Sequence, residues 1–508
     1  MAEVDVDIFS AHLKNVYSSL GSINTMDLTG NIGHMYLQAA AQHRDVSAFV
    51  LDQSRVSYGM MEDLVFSFAL RLRERGIDQS SLVAISTGHF SVAVAAHQAI
   101  ALLGASWVNA TREALANEAF PITQLLHDGT KPMPSAINVI EIDPSWAKMP
   151  ETVMASGQIS FSGHASDDDI WMYAQSSGTT GIPKLIPLSY GLVRNRLECI
   201  INLNELRSKK VAASPPPLSQ PGVFGALGAG LSGGTLVATH DPRVWAAEGV
   251  TAIVGTPLQH MKRLKGAPIP ERKFKTINVG GAKASPKFID FVSQYAERVF
   301  IGYGSTETGP VCRNEVKKGQ NFDDLGKPHD FVQVEAVDEQ ERPVDTGSEG
   351  TIRIKSPFMA DRYIYSQEST RSAFRNGWFY PGDTGVFDER GHLTITGRIN
   401  DQVSIGGVKV NAVMIDNVTE QVPGVKEAMA FTLDIEGVGM ESLVLMLCLE
   451  IGTDATNIAN KVRKACRDKI SSSLVPSAVY IVNEIPKSDR GKPLRKSGAA
   501  IVEGLEPV

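Results

Sequence analysis

The sequence predicts an α/β fold: a large N-terminal body made of several subdomains, followed by a small α+β unit. Three observations predict it. Short β-rich runs alternate with helical apolar spacings through about the first 400 residues. From about Gly326 the texture changes to strands separated by turns. A second change, near Gly397–Asn400, opens a compact mixed segment. We place the boundary between residues 397 and 398, which gives a body over 1–397 and a C-terminal domain over 398–508.

The elements follow in chain order. Leu82–Ser86, Thr235–Thr239, Thr251–Gly255 and Thr276–Val279 are apolar, β-branched and short, as buried strands are. Met61–Arg75 and Pro286–Arg298 carry apolar residues at helical spacing. Val332–Val337 and Gly350–Lys355 read as strands of the β-rich portion. In the C-terminal domain, Val425–Leu433 and Leu443–Leu449 pair as strands. Asn457–Ile470 is a basic amphipathic helix, and Val479–Val482 is a third strand. Pro486–Lys496 has too many turn and charged residues for a core element.

Composition bounds the function. The chain has 508 residues, is 43% hydrophobic, and carries 49 Lys+Arg against 56 Asp+Glu for a net charge of -7. That excludes a disordered chain and a general nucleic-acid coat. A local basic pocket can still take an acidic nucleotide. The four cysteines, Cys199, Cys312, Cys448 and Cys466, are too widely spaced for a zinc site and read as buried thiols. The start, MAEVDVDIF, lacks the basic region of a secretion signal, and no run of 18 apolar residues occurs. A cytoplasmic location without a membrane span is expected.

Five motifs carry the chemistry. Ser176-Ser177-Gly178-Thr179-Thr180-Gly181-Ile182-Pro183-Lys184 follows the strand Ile170–Ala174. Its glycines allow close backbone approach to an anion. Its amides and hydroxyls are donors, and Lys184 adds charge. A surface Ser/Gly/Thr turn would share this composition. In Ile301-Gly302-Tyr303-Gly304-Ser305-Thr306-Glu307-Thr308-Gly309, Tyr303 can cover a flat base and Glu307 can help hold Mg²⁺, although a turn glutamate is often merely solvated. Asp383, in Tyr380-Pro381-Gly382-Asp383-Thr384-Gly385, can bind two ribose hydroxyls or cap its own turn. Gly397-Arg398-Ile399-Asn400-Asp401 leads into the loop containing Gly406 and Gly407. Lys492 lies in Asp489-Arg490-Gly491-Lys492 and, taken alone, reads as a surface lysine.

In this order the motifs resemble those of the adenylate-forming (AMP-binding) superfamily, which includes acyl- and aryl-CoA ligases. The resemblance spans about Val56 to Arg495. It implies that a carboxylate attacks the α-phosphate of ATP, and that a thiol then displaces AMP. It implies ATP, Mg²⁺ and coenzyme A as cofactors and a small carboxylic acid as substrate. Ser177, Gly178, Thr179, Thr180, Gly181 and Lys184 would hold the phosphates, and Thr179 and Glu307 would serve the metal. Thr306 would contact the α-phosphate, Tyr303 the adenine, and Asp383 with Arg398 the ribose. Gly281 and Ala282 would lie beside adenine, while Gly280 and Gly304 would line the acid pocket. Lys492 would be the catalytic lysine, Asn400 the hinge of a mobile C-terminal domain, and Gly406–Gly407 part of the thiol-access loop.

Two departures bear on the substrate. The aromatic-His pair common in the family is replaced by Pro217-Leu218-Ser219-Gln220, so Ser219 and Gln220 are the nearest pocket candidates. They can hydrogen-bond but cannot carry positive charge. Pro221–Leu227 lacks the acid that amino-acid-activating relatives place there, and an unpaired ammonium would be costly to bury. An aliphatic or aromatic acid is therefore expected. The absence of a carrier module points to a stand-alone acid–thiol ligase using CoA. The alternative is an adenylation enzyme that loads an acyl, aryl or amino acid onto a separate carrier protein.

Overall fold

A computed structural model describes residues 30–52, 54–115, 120–130, 138–148, 161–164, 166–176, 184–204, 206–207, 209–213, 215–282, 284–317, 323–399, 402–405, 408–434, 441–470, 474–487 and 493–508. Its contacts divide the chain into two compact units. The first comprises Met1–Phe322, Pro328–Gln333 and Ile354–Phe379. The second comprises Asp323–Lys327, Val334–Arg353 and Tyr380–Val508. The division crosses the strand Gly350–Lys355, which the sequence places to the residue.

Two sheets dominate the first unit. In one, the order is Gly309–Val316, Ala296–Ser305, Phe274–Val279, Ala252–Gly255, Lys210–Ala213, Thr235–Val237, Ser47–Val50 and Arg55–Ser57. Its six inner strands run parallel, and only the two edge strands are antiparallel. The other runs Val139–Glu141, Gln124–His127, Leu82–Ser86, Ser106–Asn109, Ile170–Ser176 and Lys184–Ser189, with the last strand antiparallel. Parallel strands need crossovers, and helices supply them.

One continuous core joins the helices to both sheets. It takes Met61, Val65, Phe68 and Leu72 from Tyr58–Glu74, and Val193 and Leu197 from Tyr190–Leu203. Each spacing turns one helical stripe inward. The hydroxyls of Ser57 and Ser189 cap these two helices by accepting from the amides of Met60 and Leu192. Phe90–Leu102 is buried on nearly every side, which explains its almost wholly apolar sequence. One helical expectation was too long. The helix beginning at Pro286 ends at Val292, and from Ala296 the chain is a strand paired with Phe274–Val279. Val299 and Ile301 suit a strand period as well as a helical one, and the strand gains a parallel neighbour.

In the second unit, Val425–Asp434 and Glu441–Leu449 pair antiparallel, and Ala478–Ile481 adds a parallel strand. Alternation sends Ala428, Ala430, Leu443, Leu445, Leu447 and Val479 to one face, where Ile415, Ile458 and Val462 of the helices Ala412–Glu420 and Ala455–Lys469 cover them. The other side chains, including Met429, Phe431, Val444, Met446 and Ala478, form a smaller core with Ile485 and Val502. Arg495 is pinned by an ion pair to Asp416 and by donation to the Ala430 carbonyl at 2.8 Å.

All four cysteines are buried and free of disulfides, and burial pushes the Cys199 and Cys312 thiols up to about 12. Among the described residues, no helix is long and apolar enough to cross a membrane.

Candidate active site

The carboxyl ends of the parallel strands in the larger sheet gather most of the predicted residues of the first unit. Such an edge is where open α/β sheets place ligands. Lys210–Ala213 leads toward Ser219 and Gln220, Phe274–Val279 ends at Gly280–Ala282, and Ala296–Ser305 ends in the turn Thr306–Thr308. These strands run in the same direction, so their ends share one edge.

Glycine is structurally required beside the turn. A Cβ on Gly304 would lie 2.3 Å from the Gly309 carbonyl oxygen, and Gly309 itself has φ +71°. The strands Ala296–Ser305 and Gly309–Val316 can close this tightly only without side chains there. Gly281, with φ +77°, turns the chain after its strand.

Thr306 and Glu307 are buried, with 8% and 7% exposure, so the carboxylate needs partners. The Tyr363 hydroxyl donates to Glu307 Oε1 at 2.9 Å. Burial, reinforced by the Glu307 charge, raises the Tyr363 hydroxyl pKa, so it remains a donor. The backbone of the turn rests on Arg196, which is fully buried in the helix Tyr190–Leu203. Its guanidinium donates to the carbonyls of Thr306 at 2.8 Å and Glu307 at 2.9 Å, and twice to Phe358, at 2.8 and 2.6 Å. Burial lowers Arg196 to about 10, against the opposing pull of Glu307, which leaves it charged at neutral pH. The Ala360 amide donates to the Glu307 carbonyl at 2.7 Å.

Lys184 reaches the same place. Its ammonium lies 4.5 Å from the centre of the Tyr363 ring, a cation–π distance. The adjoining backbones are joined as well, because the Ile364 amide donates to the Leu185 carbonyl at 2.8 Å. Lys184, Tyr363, Glu307 and Arg196 thus form one connected group within the first unit.

Other predicted residues take more local roles. Ser219 caps the helix Gln220–Leu231: its hydroxyl accepts from the Gly222 amide at 3.2 Å and donates to the Pro216 carbonyl at 2.7 Å. A Cβ on Gly222 would lie 1.9 Å from the Pro216 oxygen, so the turn into this helix is tightly built. Gly230 packs against Tyr36, where a Cβ would lie 2.6 Å from the ring, and much of the Gly/Ala-rich stretch serves helix packing. Tyr303 is half-buried and pairs with Cys312 across the two strands.

In the second unit, Asp383 and Arg398 face each other on adjacent strands. Arg398 Nε lies 2.9 Å from Asp383 Oδ1, with Asp383 nearly buried and Arg398 about one third exposed. Ser177, Gly178, Thr179, Thr180, Gly181, Asn400, Gly406, Gly407 and Lys492 lie outside the described residues.

Arg196 and Tyr363 were not among the sequence candidates. Arg196 had a signal: it lies three residues after Val193 and four before Ile200, on the apolar stripe of its helix. Tyr363 had none, because its acidic partner is 56 residues away.

The comparisons agree with this architecture. The AMP-binding enzyme family model matches residues 37–364, and the AMP-binding enzyme C-terminal domain model matches residues 414–492. A salicylyl-CoA synthase / salicylate adenylyltransferase from Streptomyces sp is 27% identical over 66% of this chain and 64% of its own length, so the match spans just under two thirds of that protein. The amide bond synthetase McbA from Marinactinospora thermotolerans superposes with a TM-score of 0.78 at 20% identity, covering 91% of this chain and 99% of that one. O-succinylbenzoate coenzyme A synthetase (MenE) from Bacillus subtilis, in complex with ATP and magnesium ion, superposes with a TM-score of 0.79 at 19% identity, covering 91% and 98%. Adenylate-forming activation of acids is the chemistry typical of this superfamily. With both family models matched in order along its length, the chain belongs to the AMP-binding, adenylate-forming enzymes.

Proposed function

We propose that the protein activates a carboxylic acid with ATP and passes the acyl group to coenzyme A. A carboxylate oxygen bonds to the α-phosphorus, and the bond to the β-phosphate bridging oxygen breaks. Pyrophosphate leaves with that electron pair. The thiol sulfur of CoA then bonds to the acyl carbon, the acyl–phosphate C–O bond breaks, AMP departs, and the thiol proton is released. The observation that carries this reading is the buried Thr306–Glu307 turn, clamped by Arg196 at the carboxyl edge of the parallel sheet with Lys184 close by.

The family motifs, and for the first unit that edge, support the following assignments. Ser177–Gly181 and Lys184 take the β- and γ-phosphates, Thr306 takes the α-phosphate, and Tyr303, Gly281 and Ala282 take adenine. Asp383 and Arg398 take the ribose, and Gly280, Gly304, Ser219 and Gln220 line the acid site. Lys492 stabilises the negative charge that builds at the α-phosphate, an interaction strongest in the transition state. Residues 398–508 form the mobile domain, Asn400 is its pivot, and Gly406–Gly407 admit the thiol.

The donor set fits Mg²⁺. Glu307 offers a hard oxygen, and Tyr363 engages only its Oε1. Among the described residues no group of three or more His, Cys, Asp or Glu gathers. Mg²⁺ prefers oxygen ligands and shares them with substrate phosphates and water. When bound with ATP, Mg²⁺ neutralises phosphate charge.

ATP–pyrophosphate exchange over aliphatic, aryl and amino acids tests the first half-reaction. CoA, carrier proteins and simple amines are then offered as acceptors. An acyl- or aryl-CoA product supports the proposal. A product formed only on a carrier protein supports the alternative, an adenylation enzyme that loads a separate carrier.

A further inference from the structure

We propose that Tyr363 is a positioning residue with two faces: its hydroxyl orients the Glu307 carboxylate, and its ring seats the Lys184 ammonium. The inference rests on the reading of Glu307 as a metal-side carboxylate and of Lys184 as a phosphate ligand.

The position of Tyr363 is fixed from several directions. Its side chain is buried and meets Phe374 edge-on at 5.3 Å, and Phe374 in turn packs on Phe379 at 5.0 Å. The Thr370 hydroxyl accepts from the Tyr363 amide at 3.0 Å. The next residue, Ile364, is bridged to Leu185, directly after Lys184. A ring held this way leaves its hydroxyl little choice of direction. It gives its single proton to Glu307 Oε1, which sets the carboxylate plane and leaves Oε2 for a cation or water.

The pairing also answers a solvation problem. A carboxylate at 7% exposure loses most of its water, and a charge-assisted hydrogen bond replaces part of it. On the other side, the ring face holds the ammonium 4.5 Å from its centre without neutralising it. The Lys184 ammonium therefore stays available to a phosphate. A salt bridge would spend that charge, whereas a weak cation–π contact is readily exchanged for a phosphate. One residue thus positions two groups that act on the same polyphosphate.

Two variants separate the two faces. Tyr363→Phe keeps the ring and removes the hydroxyl, while Tyr363→Met fills similar volume with neither. Binding of Mn²⁺ in the presence of a non-hydrolysable ATP analogue is read by electron paramagnetic resonance. Binding of the analogue without metal is read by calorimetry. Tyr363→Phe should weaken Mn²⁺ binding about tenfold and leave metal-free analogue binding within about twofold. Tyr363→Met should weaken both, the second by about threefold or more. Unchanged Mn²⁺ binding in Tyr363→Phe overturns the proposal, as does equal behaviour of Phe and Met in both measurements. The Phe variant alone decides the claim on Glu307 should the Met variant not fold. Glu307→Gln distinguishes the two levels. If it weakens Mn²⁺ binding and Tyr363→Phe does not, the positioning role is wrong and the reading of Glu307 stands. If neither variant changes it, both fall.

Discussion

Two buried polar side chains in the first unit were built to opposite rules. Arg196, in the helix Tyr190–Leu203, and His97, in the helix Phe90–Leu102, are both fully buried. Arg196 meets three carbonyls with four hydrogen bonds. Neither ring nitrogen of His97 has a hydrogen-bond partner among the described residues, nor has either amide atom of the adjacent Gln98. His97 instead stacks on Trp107 at 4.0 Å and meets Trp171 edge-on at 6.0 Å. Burial lowers Arg196 only to about 10 but His97 to about 3, so at neutral pH one is a cation and the other a neutral aromatic plate. A buried charge is kept where acceptors are built for it and where it holds a turn in place. Where packing alone is needed, the charge is suppressed.

The largest expected break of this contrast is Arg196→Met. It strips donors from the Thr306, Glu307 and Phe358 carbonyls and should cost about 3–5 kcal/mol in chemical denaturation. Arg196→Lys keeps the charge but not the fork and should recover only part of that loss. A cost below about 1 kcal/mol for Arg196→Met would remove the clamp from the account.

His97 sharpens the comparison through pH. Its folded pKa lies below its unfolded value near 6.5, so the unfolded chain binds the proton first. Stability is therefore present above pH about 6.5 and falls progressively toward pH about 3. The loss reaches about 2 kcal/mol at pH 5. His97→Phe should remove this component and leave stability at pH 7.5 within about 1.5 kcal/mol. The acid slope should shrink without vanishing, because burial also lowers His260, to about 4. An unchanged slope between pH 7 and 5 would mean that His97 is not held neutral.

The smallest effect concerns Ser219, whose hydroxyl is bonded on both sides within its own turn. Ser219→Ala should cost about 1 kcal/mol through the lost cap and change the KM for the acid by no more than about twofold, because Ser219, although it lines the proposed acid site, spends its hydroxyl on its own turn. A raised KM at unaltered stability would instead put the hydroxyl on the substrate.

These contrasts also show what the sequence made legible. Leu82–Ser86 and Gly350–Lys355 were readable to the residue, because short β-branched runs between turns have few alternatives. Thr306 and Glu307 were readable as a motif, since the spacing of their flanking glycines is itself a backbone requirement. The clamp beneath them was not. Arg196 bonds to carbonyls 110 and 111 residues away, and a carbonyl leaves no residue-type signature. The extent of the helix at Pro286 was misjudged for a related reason, because the neighbouring strand Phe274–Val279 decides where it stops.

The most direct test of the central claim is to follow ATP itself. The protein is incubated with Mg²⁺, ATP and the acid that best supports exchange, without an acceptor, and the products are resolved by phosphorus NMR and mass spectrometry. Pyrophosphate is expected together with an acyl-adenylate whose formation collapses in Lys492→Ala while ATP binding persists. ADP and inorganic phosphate as products, or undiminished adenylate from the Lys492→Ala protein, would contradict it.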